Sequence, residues 1–364
     1  MQAPTFDLLE WLLTNRTKAT YNLAFSNISG ISFKEFKHMT QFSFPDDFDL
    51  GVNMHYGAEE LKKTLSTIYH CPQHQIITTT GASEANYIVF QALLNKGDDV
   101  IIEQPGYQPL FQTPQMIGAN VMFWKRQFEE KFQVNLESLE NLFTPKTKLV
   151  VMTNLHNPSG VLTNRRTIER IAELVAQHHA YLLVDEIFLN GSFSAQPSAY
   201  GLPHVIVTAS PTKIYGIGGL HTGWIISPNE LAMQFQKIKG QTTVAAPYIT
   251  ELMAATILEK SGHDLVKRFH QIAKNNVSIL THWMNHHTKD FSWVEPDGGI
   301  ICFLKYSKKV NSKHLCQHLL DHQKLLVNPG IFFNQEGFFR LSYGCDQHVL
   351  IQALNALEKG YEAL

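Results

Sequence analysis

From residue 58 onward the chain alternates two hydrophobic patterns. The segments AEELKKTLSTIYH, SEANYIVFQALLNKG and RRTIERIAELVAQHHA repeat apolar residues at the three-to-four spacing of a helix with one buried face. Between and after them lie short runs rich in β-branched residues: QIITTTG, DDVIIEQPGY, KLVVMTNLHNPSG, YLLVDE, HVIVTAS and HTGWIISP. These runs are apolar throughout instead of alternating, as strands covered on both faces are. Their order predicts an α/β fold, a mostly parallel central sheet covered by helices. After residue 260 the pattern changes. A long helical stretch, HDLVKRFHQIAKNNVSILTHWMNHH, leads to shorter strands within FSWVEPDGGIICFLKY and FFRLSYG. That predicts a smaller α+β domain of residues 1–44 and 261–364 beside a large domain of residues 45–260. The first residues, MQAPTFDLLEWLLTNRTKATYN, predict a short amphipathic helix belonging to the smaller domain.

Composition narrows the class. The chain has 364 residues, 44% hydrophobic and 17% charged, which suffices for a packed core. A formal net charge of −2 carries no bulk signature of a nucleic-acid or membrane partner. No run is long and apolar enough to span a bilayer. Asp7 and Glu10 interrupt the apolar residues near the start, so no signal peptide is expected. The 18 histidines are scattered without metal-ligand spacing, so no metal site is expected. Cys71, Cys302, Cys316 and Cys345 lie far apart and form no CxxC pair. They read as reduced thiols of a cytoplasmic protein.

In sheets of this kind the ligand sits at the C-terminal ends of the strands. The unusual residues gather there: Gly81-Ala82-Ser83, Pro105-Gly106-Tyr107, Asn157-Pro158, Asp185-Glu186 and Ser210 to Lys213. Singly, each has a plainer structural explanation as a cap, a turn or a solvated side chain. Their order is more specific. Tyr56-Gly57 precedes a Leu-Lys helix, followed by TTTGASEA, EQPGYQPL, NLHNPSG, LLVDEIF, SPTKIYGIGGLHTGW, VNPGIFF and FFRLSYG. From Tyr56 to Arg340 this series resembles the fold type I pyridoxal-phosphate enzymes, specifically the class I/II aminotransferases.

The resemblance implies pyridoxal 5'-phosphate as cofactor, an L-amino acid and a 2-oxo acid as substrates, and a homodimer with active sites at its interface. Lys213 would carry the cofactor as a Schiff base and act as base at the substrate Cα. Asp185 would face the pyridine N–H, Asn157 the ring O3' oxygen, and Tyr107 the ring face. Gly81, Ala82 and Ser83, opening a helix, would seat the phosphate with Ser210 and with Tyr56 of the partner copy. Arg340, with Asn157 beside it, would hold the substrate α-carboxylate.

Two positions depart from the family pattern. His221 stands in GLHTG where the family has an arginine on the phosphate, and an imidazole offers one or two donors in place of a fork. Phe188 stands three residues after Asp185, where a tyrosine commonly bonds O3'. Both changes leave the lysine and the ring acceptor in place. Both leave room for a second reading, a lyase or cyclase such as a C–S lyase or a relative of capreomycidine synthase, since one scaffold supports several reactions. A cofactor-binding regulator is a third reading. It is disfavoured because the family pattern begins too early to follow a helix-turn-helix domain.

Overall fold

The computed structural model describes residues 4–44, 46–52 and 54–364; the expected domain limit at residue 45, and residues 1–3 of the expected smaller domain, lie outside them. The strands are β1 (Tyr21–Asn22), β2 (Ile76–Thr79), β3 (Asp99–Gln104), β4 (Asn120–Lys125), β5 (Thr147–Thr153), β6 (Tyr181–Asp185), β7 (Val205–Ala209), β8 (Gly223–Ile226), β9 (Phe291–Trp293), β10 (Ile301–Tyr306), β11 (Leu325–Leu326), β12 (Asn328–Pro329) and β13 (Phe338–Ser342). The helices are α1 (Asp7–Asn15), α2 (Phe33–Thr40), α3 (Glu59–Tyr69), α4 (Gly81–Leu93), α5 (Gln108–Ile117), α6 (Leu136–Glu140), α7 (Arg165–Gln177), α8 (Asn229–Lys239), α9 (Tyr248–His286), α10 (Ser312–Gln323) and α11 (Gln347–Glu362).

Strands β2 to β8 form one sheet in the order β2-β8-β7-β6-β5-β3-β4. Only β8 runs against its neighbours, β2 and β7; the other pairs are parallel. The sheet is buried on both faces, as its uninterrupted apolar runs require. In β6, Leu183 joins the core beneath α4, α5 and α8, while Leu182 and Val184 join the core beneath α3, α7 and α9. Successive side chains of a strand point to opposite faces, so a run with no polar interruption needs a helical layer on each. Helix α7 begins where Asn164 accepts a hydrogen bond from Thr167 N, a cap that fixes its start behind β5.

The smaller sheet is antiparallel, in the order β12-β13-β10-β9; α10 packs against it, and α11 packs against α10 and α9. The parallel pair β1–β11 ties the N-terminal segment to this part of the molecule. Helix α9 joins the two parts: it begins at Tyr248 and runs 39 residues, so residue 260, the expected limit between domains, falls inside it. Among the described residues no helix is long and apolar enough to cross a membrane, and no cluster of three or more potential metal ligands occurs. All four cysteines are free.

Candidate active site

The C-terminal ends of β5 and β6 open onto a cavity of about 380 Å³. Nine of the expected site residues line it: Gly81, Ala82, Ser83, Tyr107, Asn157, Asp185, Lys213, His221 and Arg340. Their elements are far apart in sequence, and the parallel sheet brings their ends together.

Asp185 is the last residue of β6 and is buried. Its Oδ2 accepts from Asn86 Nδ2 at 2.9 Å and its Oδ1 from Ile187 N at 3.1 Å. Asn86 is itself oriented by the Thr208 hydroxyl, which donates to its Oδ1 at 2.6 Å. Burial pushes the Asp185 carboxyl up to about 6, against the pull of these two bonds and of Lys213. Lys213 follows β7, and its Nζ donates to Asn27 Oδ1 at 2.6 Å. Burial, helped by the Arg340 charge, brings its amine down to about 8, with Asp185 opposing. An amine so tuned can both take and release a proton near neutrality.

Arg340 enters from β13 of the smaller sheet and is buried, its guanidinium 4.9 Å from the centre of the Phe333 ring. Nη1 donates to Asn157 Oδ1 at 3.0 Å and Nη2 to Ala24 O at 3.1 Å, while Nε has no partner among the described residues. Burial brings it down to about 10, so it stays charged at neutral pH. With its oxygen engaged by Arg340, the Asn157 amide keeps its N–H donors for a ligand. Tyr107, which precedes α5, is half-buried, and the edge of its ring meets Phe6 at 5.7 Å. Burial raises its phenol to about 12, so it is neutral.

Helix α4 opens at Gly81 with φ +80°, and no side chain caps it. Gly223, the first residue of β8, lies so close beneath that a Cβ there would sit 2.4 Å from Gly81 C and 2.7 Å from Ala82 N. The His221 ring lies against Gly81, with Nδ1 3.2 Å from Thr80 O. Two expected residues sit elsewhere. The buried Ser210 hydroxyl donates to Thr222 O at 2.7 Å and lies outside the cavity lining; Thr212, two residues on, lines it instead. Tyr56 is 64% exposed and does not line the cavity of its own chain.

Sequence reasoning missed Asn27, which has no motif around it, and a buried support beneath the cavity. There Glu103 Oε2 and Arg126 Nη1 pair at 2.9 Å, both fully buried. Glu103 Oε1 accepts from Thr153 N at 2.6 Å, and Arg126 Nε donates to Phe132 O. His156 bridges from Ser159 to Pro105 O, holding the NPSG turn against the loop that carries Tyr107. Burial, with the Arg126 charge, keeps His156 well below the ordinary histidine range and neutral. An acid ending one strand and an arginine just past the next are the sequence signal that could have found this pair.

The set fits pyridoxal 5'-phosphate. The buried Arg340 Nε lacks a partner among the described residues, and Arg340 lines the cavity. An uncapped helix N-terminus suits a phosphate, a buried carboxylate suits a pyridinium, and an amine lies within the same space. Phe188 is buried in the cavity wall, and its ring offers no hydrogen bond.

Comparison with known proteins agrees with this chemistry. The family model described as aminotransferase class I and II matches residues 52–357. Capreomycidine synthase of Streptomyces vinaceus is 27% identical, over 98% of this chain and 93% of its own. Aspartate aminotransferase of Thermotoga maritima is 27% identical, over 83% of this chain and 78% of its own. Among solved structures, a PLP-dependent aminotransferase from Streptococcus suis superposes with a TM-score of 0.93 at 28% identity, covering 100% of this chain and 99% of that one. The PLP-dependent cyclase OrfR shares the fold, with a TM-score of 0.90 at 23% identity, covering 100% of this chain and 98% of its own.

Proposed function

The chain belongs to the class I and II aminotransferases, and from that membership we propose how its residues divide the work. It is a pyridoxal 5'-phosphate-dependent enzyme that moves an amino group between an amino acid and a 2-oxo acid. The observation that carries the assignment of roles is the meeting of one amine, one buried carboxylate and one buried guanidinium in a single cavity.

When bound, the cofactor supplies an electron sink for the pair left at the substrate Cα as its proton departs. Asp185 keeps a proton at the pyridine nitrogen, because a carboxylate there favours the protonated ring. The Asn86–Thr208 relay aims its carboxylate. Lys213 Nζ would take the proton from the substrate Cα and hold it for return on the far side of the substrate nitrogen, a short path for one flexible amine. Arg340 grips the α-carboxylate through Nε and its remaining Nη–H groups, so that Cα lies within reach of Lys213. The N–H groups of Gly81, Ala82 and Ser83 bind the phosphate, with His221 and Thr212 beside them. Tyr107 covers the ring and, with α1, keeps water out.

The exposure of Tyr56, Leu50 and Phe33 supports a cytoplasmic homodimer in which Tyr56 serves the phosphate of the partner copy. Four unpaired thiols support a reducing compartment. The large part of the molecule, residues 45–260, would bind the cofactor, and residues 1–44 with 261–364 would close over the substrate.

Borohydride reduction of the holoenzyme followed by peptide mapping tests the reading. The cofactor label is expected on Lys213, and Lys213→Ala should remove both label and turnover. A label on another lysine would overturn the assignment. The same holoenzyme, given an amino acid alone, should release the corresponding 2-oxo acid. A cyclised or eliminated product would favour the lyase or cyclase reading that the likeness to capreomycidine synthase supports.

A further inference from the structure

One side of the cavity carries none of the groups assigned to the cofactor, the α-carboxylate or the proton. Its outer wall is built largely by α1, whose sequence DLLEWLLTN carries Leu8 and Leu12 four residues apart on one helical face. Both are buried and both line the cavity, with Phe6 just ahead of the helix. The helix is fastened in place. Leu8 N donates to Gln108 Oε1 at 3.2 Å, and Gln108 Nε2 donates to Asp7 Oδ2 at 3.0 Å and Thr5 O at 3.3 Å. Trp11 Nε1 donates to Val327 O at 2.9 Å. Gln108 directly follows Tyr107, so the helix is tied to the residue that covers the cofactor ring. The cavity's remaining apolar lining comes chiefly from Leu9, Ala24, Phe25, Ile187 and Phe188.

The titratable side chains lining the cavity are Tyr107, Asp185, Lys213, His221 and Arg340, and each already has a part in holding cofactor, α-carboxylate or proton. Among the described residues of the lining, none is left to pair with a charge on the substrate side chain. A carboxylate or guanidinium pressed against Leu8 and Leu12 would lose its water and gain no charged partner from its own chain.

We propose that α1 is the specificity wall of this enzyme and that the site takes a 2-amino acid with an uncharged, apolar side chain. The inference rests on the aminotransferase reading and adds to it the class of substrate. The carboxylate goes to Arg340, Cα to Lys213, and the side chain lies against Leu8, Leu12 and Phe25. The cavity then discriminates chiefly through desolvation, and Phe25, partly exposed at its edge, closes the apolar surface from the loop side.

Calorimetry on the holoenzyme tests this with three unreactive acids: 4-methylpentanoate, succinate and 5-guanidinopentanoate. The first should bind at least roughly tenfold more tightly than either charged one. The same order is expected for the rates at which leucine, aspartate and arginine are converted to 2-oxo acids. Leu12→Ala and Phe25→Ala should each narrow the gap severalfold, and Leu12→Met should keep it. Phe25 stands in a partly exposed loop, so its variant tests the wall even where Leu12→Ala disturbs α1. Equal or tighter binding of succinate or 5-guanidinopentanoate, or a gap unchanged in Phe25→Ala, overturns the proposal. Conversion of aspartate or arginine ahead of leucine overturns the wall alone. Absence of conversion with all three, together with no label on Lys213, overturns the aminotransferase roles as well.

Discussion

At Asp185, burial works against the charge that the chemistry needs. Its carboxyl is raised from 3.8 to about 6 in the fold. A raised native value means that the fold favours the protonated acid. Stability from that source is present below the unfolded value, falls between about pH 4 and 6, and is absent above. The difference corresponds to about 3 kcal/mol at most. Asp185→Asn should therefore stabilise the cofactor-free protein at pH 8 by up to that amount, and by nothing near pH 4. Asn86 can turn its amide to accept from the new side chain while Thr208 accepts in return, so the buried network stays satisfied. Denaturant midpoints at the two pH values check this, and an equal gain at both would show that charge is not its source. The same variant should lose turnover. Asn27 offers the complementary test, because its amide oxygen is the direct partner of the Lys213 amine. Asn27→Asp would set a negative charge against the ammonium and raise the pH at which the amine becomes reactive by roughly 1–3 units. Acetic anhydride labelling of Lys213 across pH in the cofactor-free protein reads this directly. An unmoved midpoint would mean that Asn27 does not hold the amine. Lys213 and Asp185 were legible in the sequence because each sits in a short motif at a strand end. Asn27 was not, since its contact spans 186 residues from an irregular loop that no periodicity marks.

Elements set these residues to within ångströms, and legibility follows their chemistry. The inner strands β3, β5, β6 and β7 were readable because burial on both faces forces unbroken apolar runs. The edge strand β4, NVMFWK, is buried at only one of its six positions, so its apolar run from Val121 to Trp124 does not report burial on both faces. Helix α1 was readable as amphipathic, but not as a wall of the site, because its ties to Gln108 and Val327 span 100 and 316 residues. The approach of β8 to the start of α4 is equally invisible in sequence and has a sharp consequence. A methyl group at Gly223 would overlap the backbone of Gly81 and Ala82, while one at Gly219 meets nothing within 4 Å. Gly223→Ala should displace the α4 N-terminus and weaken cofactor binding on the order of 10- to 100-fold, equivalent to the 1–3 kcal/mol typical of overpacking. Gly219→Ala should leave it unchanged. Cofactor dissociation constants for the two variants, with circular dichroism to verify that both fold, separate the role of the cradle from that of the loop. Equal affinities would mean that the phosphate does not rest on α4.

On the scale of the whole molecule, one flank of the chain presents more apolar surface than a lone copy needs. Phe36, Phe42, Phe44, Phe48 and Tyr248 form a continuous series of ring contacts, and Phe33 stacks at its end. Beside them Leu50 is 81% exposed and Tyr56 64%. An open groove of about 430 Å³ bordered by Phe33 and Phe36 adjoins the active-site cavity through Asn27 and Thr212. If a second copy covers this flank, its contacts and its cofactor site are coupled, and two substitutions separate them. Leu50→Asp removes an apolar contact worth about 1.5–3 kcal/mol and does so twice across a twofold interface. It should weaken dimerisation by roughly two to four orders of magnitude, visible in sedimentation, and lower cofactor occupancy as the copies separate. Tyr56→Phe keeps the ring and loses only the hydroxyl. It should leave sedimentation unchanged yet weaken cofactor binding on the order of tenfold or more, as loss of a bond to a charged group does. Mixing Tyr56→Phe with Lys213→Ala then reads the direction of the contact. In a mixed dimer, a partner-supplied hydroxyl leaves the one cofactor-carrying Lys213 site with an intact Tyr56, so affinity there returns to the wild-type value. A hydroxyl acting within its own chain leaves that site weakened, and this result would remove Tyr56 from the partner's phosphate.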